Sequence, residues 1–192
     1  MSYSFDRPAL VIVDVQNGID DPMWGPRNNP AAERVIVSLL EDWRARGLPL
    51  FHLRHDSTET TSAYRPGQPG NDFKAEVAPL AGETIVAKQT NSAFIGTDLA
   101  ERLKSCGCDA VVYCGVITNN SLEATVRMSG NLGFRSFVVS DGCWTVDKVD
   151  LRGQRWDAED VHALALANMH GEYATVVAAE EVLLENERVR SR

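Results

Sequence analysis

The sequence has no apolar run near the ~18 residues that a membrane-spanning helix requires. It also has no basic run. Across 192 residues, 19 Lys and Arg stand against 27 Asp and Glu, a formal net charge of −8. An acidic chain without a basic patch is poorly matched to nucleic acid or an anionic bilayer surface, so neither is expected as a partner. The N-terminal stretch MSYSFDRPALVIVDV contains an apolar run but lacks a basic lead-in and a small-residue cleavage site. That argues against a secretory signal. Cysteine is scarce: Cys106, Cys108, Cys114 and Cys143, with no C-x-x-C among them. Reduced thiols in a cytoplasmic protein suit this pattern better than disulfides. Cys106 and Cys108 lack zinc-knuckle spacing and a following Cys/His pair, and they read as ordinary thiols. No linker, internal repeat or low-complexity tract divides the chain, so one domain over 1–192 is expected. A domain of that length buries roughly 70% of the surface its unfolded chain exposes and needs no staples.

What the chain does contain is alternation. ALVIVDV (9–15), LPLFHLR (48–54), ETIVAK (83–88), DAVVYCGV (109–116), FRSFVVSD (134–141) and YATVVAA (173–179) are short runs rich in Val and Ile. Their nearly continuous hydrophobicity predicts strands covered on both faces. Helices are predicted between them, over 30–46, 96–106, 118–131 and 157–170. The first is bracketed by Pro30 and Gly47, proline at the entrance and glycine just past the exit. In the third, Leu122, Thr125, Val126 and Ser129 form a narrow buried stripe. Alternating strands and helices imply an α/β fold, a three-layer αβα arrangement around a doubly wound, mainly parallel six-stranded sheet. Two stretches, 55–73 and 142–156, read as irregular.

In such sheets ligands sit beyond the carboxyl ends of the strands. Asp14 ends the first apolar run, and a carboxylate there is costly unless it is paired or hydrogen-bonded. It reads either as a loop cap or salt-bridge partner, or as a general acid/base. Lys88 ends the third run in the same way. It reads as a solvated strand terminus, or as a cation that keeps Asp14 ionised. After Gly115 a polar turn leads into a helix, with Thr118 or Asn119 as candidate N-cap and Ser121 in the first turn. Unsatisfied N–H groups there carry partial positive charge and could receive an oxyanion. On physical grounds alone Ser121 reads more simply as a polar first-turn residue.

Four motifs carry a resemblance: VDVQN around Asp14, KQTNSAF from Lys88, GVITNNSLEATVRMSGNLGF from Gly115, and VVSDGC from Val138. In this order, over about residues 7–185, the chain resembles the isochorismatase-like cysteine hydrolases, the superfamily of nicotinamidases, N-carbamoylsarcosine amidohydrolase and isochorismatases. The resemblance implies a catalytic triad in which Asp14 matches the aspartate base and Lys88 the lysine. The family cysteine falls on position 121, where this sequence has Ser121. The resemblance further implies a cis peptide between Val116 and Ile117, with the amides of Ile117 and Ser121 as the oxyanion site.

The departure at position 121 changes the chemistry. A thiol with a pKa of ~8.5 is readily deprotonated by a carboxylate, whereas a serine hydroxyl is a far weaker acid. Four readings follow. Ser121 is a nucleophile in a differently tuned hydrolase; Asp14 acts as a general acid without a covalent step, as in true isochorismatases; the protein binds without turnover; or serine was introduced to trap a substrate. The expected function is hydrolysis of an amide or carbamoyl C–N bond in a small, non-peptide metabolite. Vinyl-ether hydrolysis by Asp14 and an inactive binding protein are the alternatives.

No cofactor and no metal are expected. The resemblance would place metal ligands after the second strand, but that region reads FHLRHDSTETTSAYRPG. His52 and His55, three apart on a strand, face opposite sides. His55 could instead line the pocket. Gln16 could orient Asp14, and Trp24 and Phe94 could stack on a flat substrate. Trp144 and Trp156 bracket KVDLRGQR and read as an exposed aromatic pair at a subunit contact, which together with the resemblance predicts a homo-oligomer, a dimer or tetramer. His162 and His170 read as structural or interfacial.

Overall fold

The Val- and Ile-rich runs form strands at the expected places. In the computed structural model, residues 5–183 are described; residues 1–4 of the N-terminal stretch and 184–192, which include the last residues of the resemblance, lie outside them. The elements in chain order are β1 (Pro8–Val13), α1 (Ala32–Arg46), β2 (Leu50–His55), β3 (Thr84–Lys88), α2 (Leu99–Ser105), β4 (Ala110–Val116), α3 (Glu123–Asn131), β5 (Ser136–Trp144), β6 (Lys148–Val149), β7 (Arg155–Trp156), α4 (Ala158–Met169) and β8 (Thr175–Val177). Six strands form one sheet in the order β3-β2-β1-β4-β5-β8, and every neighbouring pair is parallel. β6 and β7 form a separate antiparallel ribbon.

β1 and β4, at the centre, are buried along their whole length, as strands covered on both faces must be. Helices supply the cover. α1 turns Ala32, Ile36, Leu39, Leu40 and Trp43 inward at helical spacing, and the Trp43 indole donates to the Pro8 carbonyl at 3.0 Å. Gly47 ends this helix in a left-handed conformation, φ 60°, which a Cβ would disfavour. α3 buries Thr125, Val126 and Ser129 on the stripe expected of it. Among the described residues, no helix is long and apolar enough to cross a membrane.

The stretch expected to be irregular from 142 is instead partly strand. After a register shift, Gly115 pairs with Cys143 and Val116 with Trp144, so β5 continues to Trp144. Cys143 and Trp144 are fully buried, and pairing them with β4 satisfies backbone groups that water cannot reach. The expected exposed Trp144–Trp156 pair is therefore absent. Trp144 lies in the core beneath the Arg27 guanidinium, 4.2 Å from its ring centre, while Trp156 is partly exposed on the β6–β7 ribbon.

Candidate active site

The strand order reverses direction between β1 and β4, so the loops leaving these two strands diverge and open a crevice at their carboxyl ends. Asp14 follows β1 directly. Its backbone adopts a left-handed conformation, φ 52°, which aspartate tolerates better than most residues. Its N–H still donates to the Leu53 carbonyl at 3.1 Å, which anchors the turn to β2.

Lys88 ends β3, two strands away from β1 in the sheet, and its side chain reaches across the end of β2. Its Nζ donates to Oδ2 of Asp14 at 2.6 Å and to the Thr90 carbonyl at 3.1 Å. Both side chains are buried, Lys88 completely. The second carboxylate oxygen, Oδ1 of Asp14, is buried with no hydrogen-bond partner.

The chain leaving β4 supplies the opposite wall. At Gly115, φ 118°, a Cβ would stand 2.3 Å from the Val13 carbonyl oxygen, so only glycine permits this approach of the two backbones. The Val116–Ile117 peptide that follows is cis. Residues 118–122 make one wide turn before α3 begins at Glu123. Neither Thr118 nor Asn119 caps that helix, contrary to expectation. The Thr118 hydroxyl pairs with Nδ1 of His162 on α4 at 2.9 Å, and Oδ1 of Asn119 accepts from the Thr145 hydroxyl at 2.6 Å. Both side chains are committed to distant elements and hold the turn from outside. From within, the Thr125 hydroxyl donates to the Ser121 carbonyl at 2.7 Å and accepts from the Ala93 N–H at 3.1 Å. This ties the turn to the loop after β3.

Asp14, Val116, Ile117 and Ser121 line one pocket of about 190 Å³, together with Trp24 and His55. That is below the ~300 Å³ at the small end of ordinary ligand sites, so it suits a small molecule. Trp24 is fixed by an indole hydrogen bond to the Gly18 carbonyl at 2.9 Å and packs edge-on against Tyr64. His55 also packs edge-on against Tyr64, and its Nδ1 is buried without a partner. Burial, ahead of any neighbouring charge, pushes the His55 pKa below its ordinary value and favours the neutral ring.

Two expected pocket residues do other work. Gln16 is fully buried and clamps the end of β2: its Oε1 accepts from the His55 N–H at 2.7 Å, and its Nε2 donates to the carbonyls of His55 and Asn71 at 3.1 and 2.7 Å. Its side chain positions the His55 backbone and makes no hydrogen bond to the Asp14 carboxylate; only its backbone N–H reaches Asp14, donating to the carbonyl at 2.8 Å. Phe94 stacks on Phe134, ring centres 5.8 Å apart, and is not among the pocket walls.

The residues after β2 do not fit a catalytic metal. Nε2 of His52 is paired with Glu83 at 2.9 Å, and Asp56 is occupied by Arg54 and Asn71. Of His52, His55 and Asp56, only His55 lines the pocket. Among the described residues, no group of three His, Cys, Asp or Glu could hold a metal ion. No cysteine stands in for Ser121 either. Cys114 and Cys143 are fully buried, and burial raises both thiol pKa values. Burial and the neighbouring Cys106 raise Cys108 to about 12, at the far end of β4 from the pocket.

The loop from 57 to 64 supplies walls that the sequence did not reveal: Ser57, Glu59, Ser62 and Tyr64. It closes on itself, with the Ser57 N–H donating to the Tyr64 carbonyl at 3.1 Å. Nδ2 of Asn71 donates to the carbonyls of His55 and Tyr64 at 3.0 and 2.8 Å, stapling both ends of the loop. Asn91 and Asn120, the remaining polar walls, lie inside the KQTNSAF and GVITNNS motifs, and their position there was the available signal.

Comparison with known proteins places this geometry among relatives. The Isochorismatase domain model matches residues 8–181. The isochorismatase-family protein YrdC of Bacillus subtilis is 38% identical over 93% of this chain and 95% of its own length. A crystal structure of an isochorismatase-family hydrolase from Chromobacterium violaceum superposes with a TM-score of 0.94 at 54% identity, covering 98% of this chain and 97% of that one. Maleamate amidohydrolase of Pseudomonas putida is 32% identical over 92% of this chain and 85% of its own length.

Proposed function

The chain belongs to the isochorismatase family, and on that basis we propose that it hydrolyses an amide or carbamoyl C–N bond of a small, non-peptide metabolite. One observation carries the reading: Asp14, bonded to Lys88 at 2.6 Å, shares a pocket of about 190 Å³ with Ser121 and the Val116–Ile117 segment. A buried ion pair is weak evidence for stability, so its placement beside a pocket supports a chemical role. The maleamate amidohydrolase relative supports the reaction class; at 32% identity it does not carry the substrate.

In this reading the Ser121 hydroxyl attacks the substrate carbonyl while Asp14 accepts its proton. Lys88, bonded to Asp14 at 2.6 Å, holds that carboxylate in place and stabilises the negative charge that develops. The amides of Ile117 and Ser121 receive the oxyanion, a role that depends on donors held in place before reaction. Asp14 then returns the proton to the departing amine, leaving an acyl ester on Ser121. A water molecule, deprotonated by Asp14, attacks that ester; the acyl–oxygen bond breaks, the acid departs, and Asp14 passes the proton to the Ser121 oxygen. Intact-mass spectrometry with substrate present is the test. An acyl adduct that disappears in Ser121→Ala supports the covalent route. Full turnover in Ser121→Ala, with loss in Asp14→Ala, would overturn it in favour of proton donation by Asp14 alone.

A further inference from the structure

We propose that this pocket selects short amides that are uncharged or positively charged and turns away carboxylated ones, with the Glu59 carboxylate at its rim as the charge-selecting group. The inference rests on the hydrolase reading for its choice of amides, and on the pocket itself for the charge. Among the described residues, the pocket walls carry two acidic side chains, Asp14 and Glu59, and no Lys or Arg. Two cations at the ends of the neighbouring strands are already committed. Lys88 is bonded to Asp14 and to the Thr90 carbonyl, and Arg54 is paired with Asp56 at 2.8 and 3.0 Å. His55 does not supply the missing charge, because burial disfavours its protonated form.

A carboxylate entering so small a pocket would lose its water without gaining a cation, and an unpaired buried charge is among the costliest arrangements in a protein. A neutral or cationic amide meets the opposite situation. Oδ1 of Asp14 and Nδ1 of His55 are buried polar atoms without partners, and Asp14 is only 4% exposed. An N–H donor from a substrate completes Asp14 Oδ1, whereas a second carboxylate repels it. Burial first, and then the charges of Asp14 and Asp20, push the Tyr64 phenol toward its neutral form. Glu59 is exposed, but its backbone is held: its N–H donates to the Ser57 hydroxyl at 3.2 Å, and its carbonyl accepts from the Ser62 N–H at 3.2 Å. A group held at the rim can sort charges on entry while leaving the floor free for chemistry.

Three amides of closely similar length test this: butanamide, β-alaninamide and succinamate, which are neutral, cationic and anionic. Binding is measured by calorimetry on Ser121→Ala, with ligand-induced thermal shift of the wild-type protein alongside, and turnover is measured by ammonia release. Butanamide and β-alaninamide are expected to bind at least about tenfold more tightly than succinamate. Glu59→Lys is expected to weaken β-alaninamide and strengthen succinamate, each by roughly fivefold, as an exposed charge can. That effect should shrink in about 1 M salt, where the Debye length is about 3 Å. Preference for succinamate, an order indifferent to Glu59→Lys, or no binding of any of the three overturns the proposal. Binding in the expected order without ammonia release overturns the hydrolase reading and leaves the charge selection standing.

Discussion

Nζ of Lys88 sits 2.6 Å from Oδ2 of Asp14, and the other oxygen of that carboxylate is buried with no partner. The ion pair is thus complete on one side only, with its open side in a residue that lines the pocket. Removing the ammonium in Lys88→Met leaves Asp14 buried and uncompensated, which is expected to cost about 3–5 kcal/mol of folding stability. Urea denaturation measures this. The double variant Asp14→Asn/Lys88→Met should recover part of the loss. A single variant within about 1 kcal/mol of wild type would show that Asp14 does not need its cation.

Ser121 lies where the carboxylate it would work with is a modest base for a hydroxyl. Replacing the hydroxyl with a thiol changes the acidity without changing the surroundings. Ser121→Cys is therefore expected to raise kcat/KM toward amides by roughly tenfold or more. Ser121→Ala is expected to lower it by at least about 10³-fold. Steady-state ammonia release decides between them. Equal rates in wild type and Ser121→Ala would remove the nucleophile from the mechanism.

Gly115 should admit no other residue. An added Cβ would meet backbone atoms of Val13 at 2.3, 2.7 and 3.0 Å, in a conformation, φ 118°, that other residues rarely adopt. Backbone cannot swing aside as a flexible side chain can. Gly115→Ala is expected to lose more than about 4 kcal/mol, measured by chemical denaturation. Because Val13 precedes Asp14, any folded remainder should also lose activity.

Stability should fall in two acid windows. Burial, the largest influence in each case, holds His52, His55 and His162 below their ordinary pKa of 6.5. The unfolded chain therefore takes up these protons first, and stability present above pH 6.5 is lost as the pH falls below it. Glu33 and Glu83 lie lower. Burial works to raise both, but hydrogen bonds from Arg27 and Lys74 to Glu33, and from Arg44 and the Leu80 N–H to Glu83, prevail and hold each at about 2. Their contribution is present above their ordinary value of 4.5 and disappears as the pH falls toward 2. Urea titrations across pH should show both declines, and His162→Gln should flatten the first. A level profile through both windows would contradict the burial of the histidines and the hydrogen bonding of the two glutamates.

Much of the fold was legible because it depends on local chemistry. The Val- and Ile-rich runs could bury themselves only as covered strands, and α1 could not continue past Gly47. Asp14, Lys88 and Ser121 were also marked in advance, each standing just beyond an apolar run within a recognisable motif. Their meeting was not marked. Asp14 and Lys88 are 74 residues apart, and only the order β3-β2-β1 brings their side chains together.

The misplaced residues share one cause. Gln16 follows Asp14 closely in the sequence, yet its amide is claimed by the backbone of His55 and Asn71. Thr118 and Asn119 have the chemistry of helix caps, but His162 and Thr145 engage them instead. Trp144 looks like a loop aromatic until pairing with β4 draws it into the core. By itself, the sequence determined where the chain is extended or helical and which side chains could do chemistry, because both follow from neighbours a few residues away. Which of them face one another, and that Asp14 and Glu59 come to line one pocket, was decided only when strands and loops distant in sequence packed side by side.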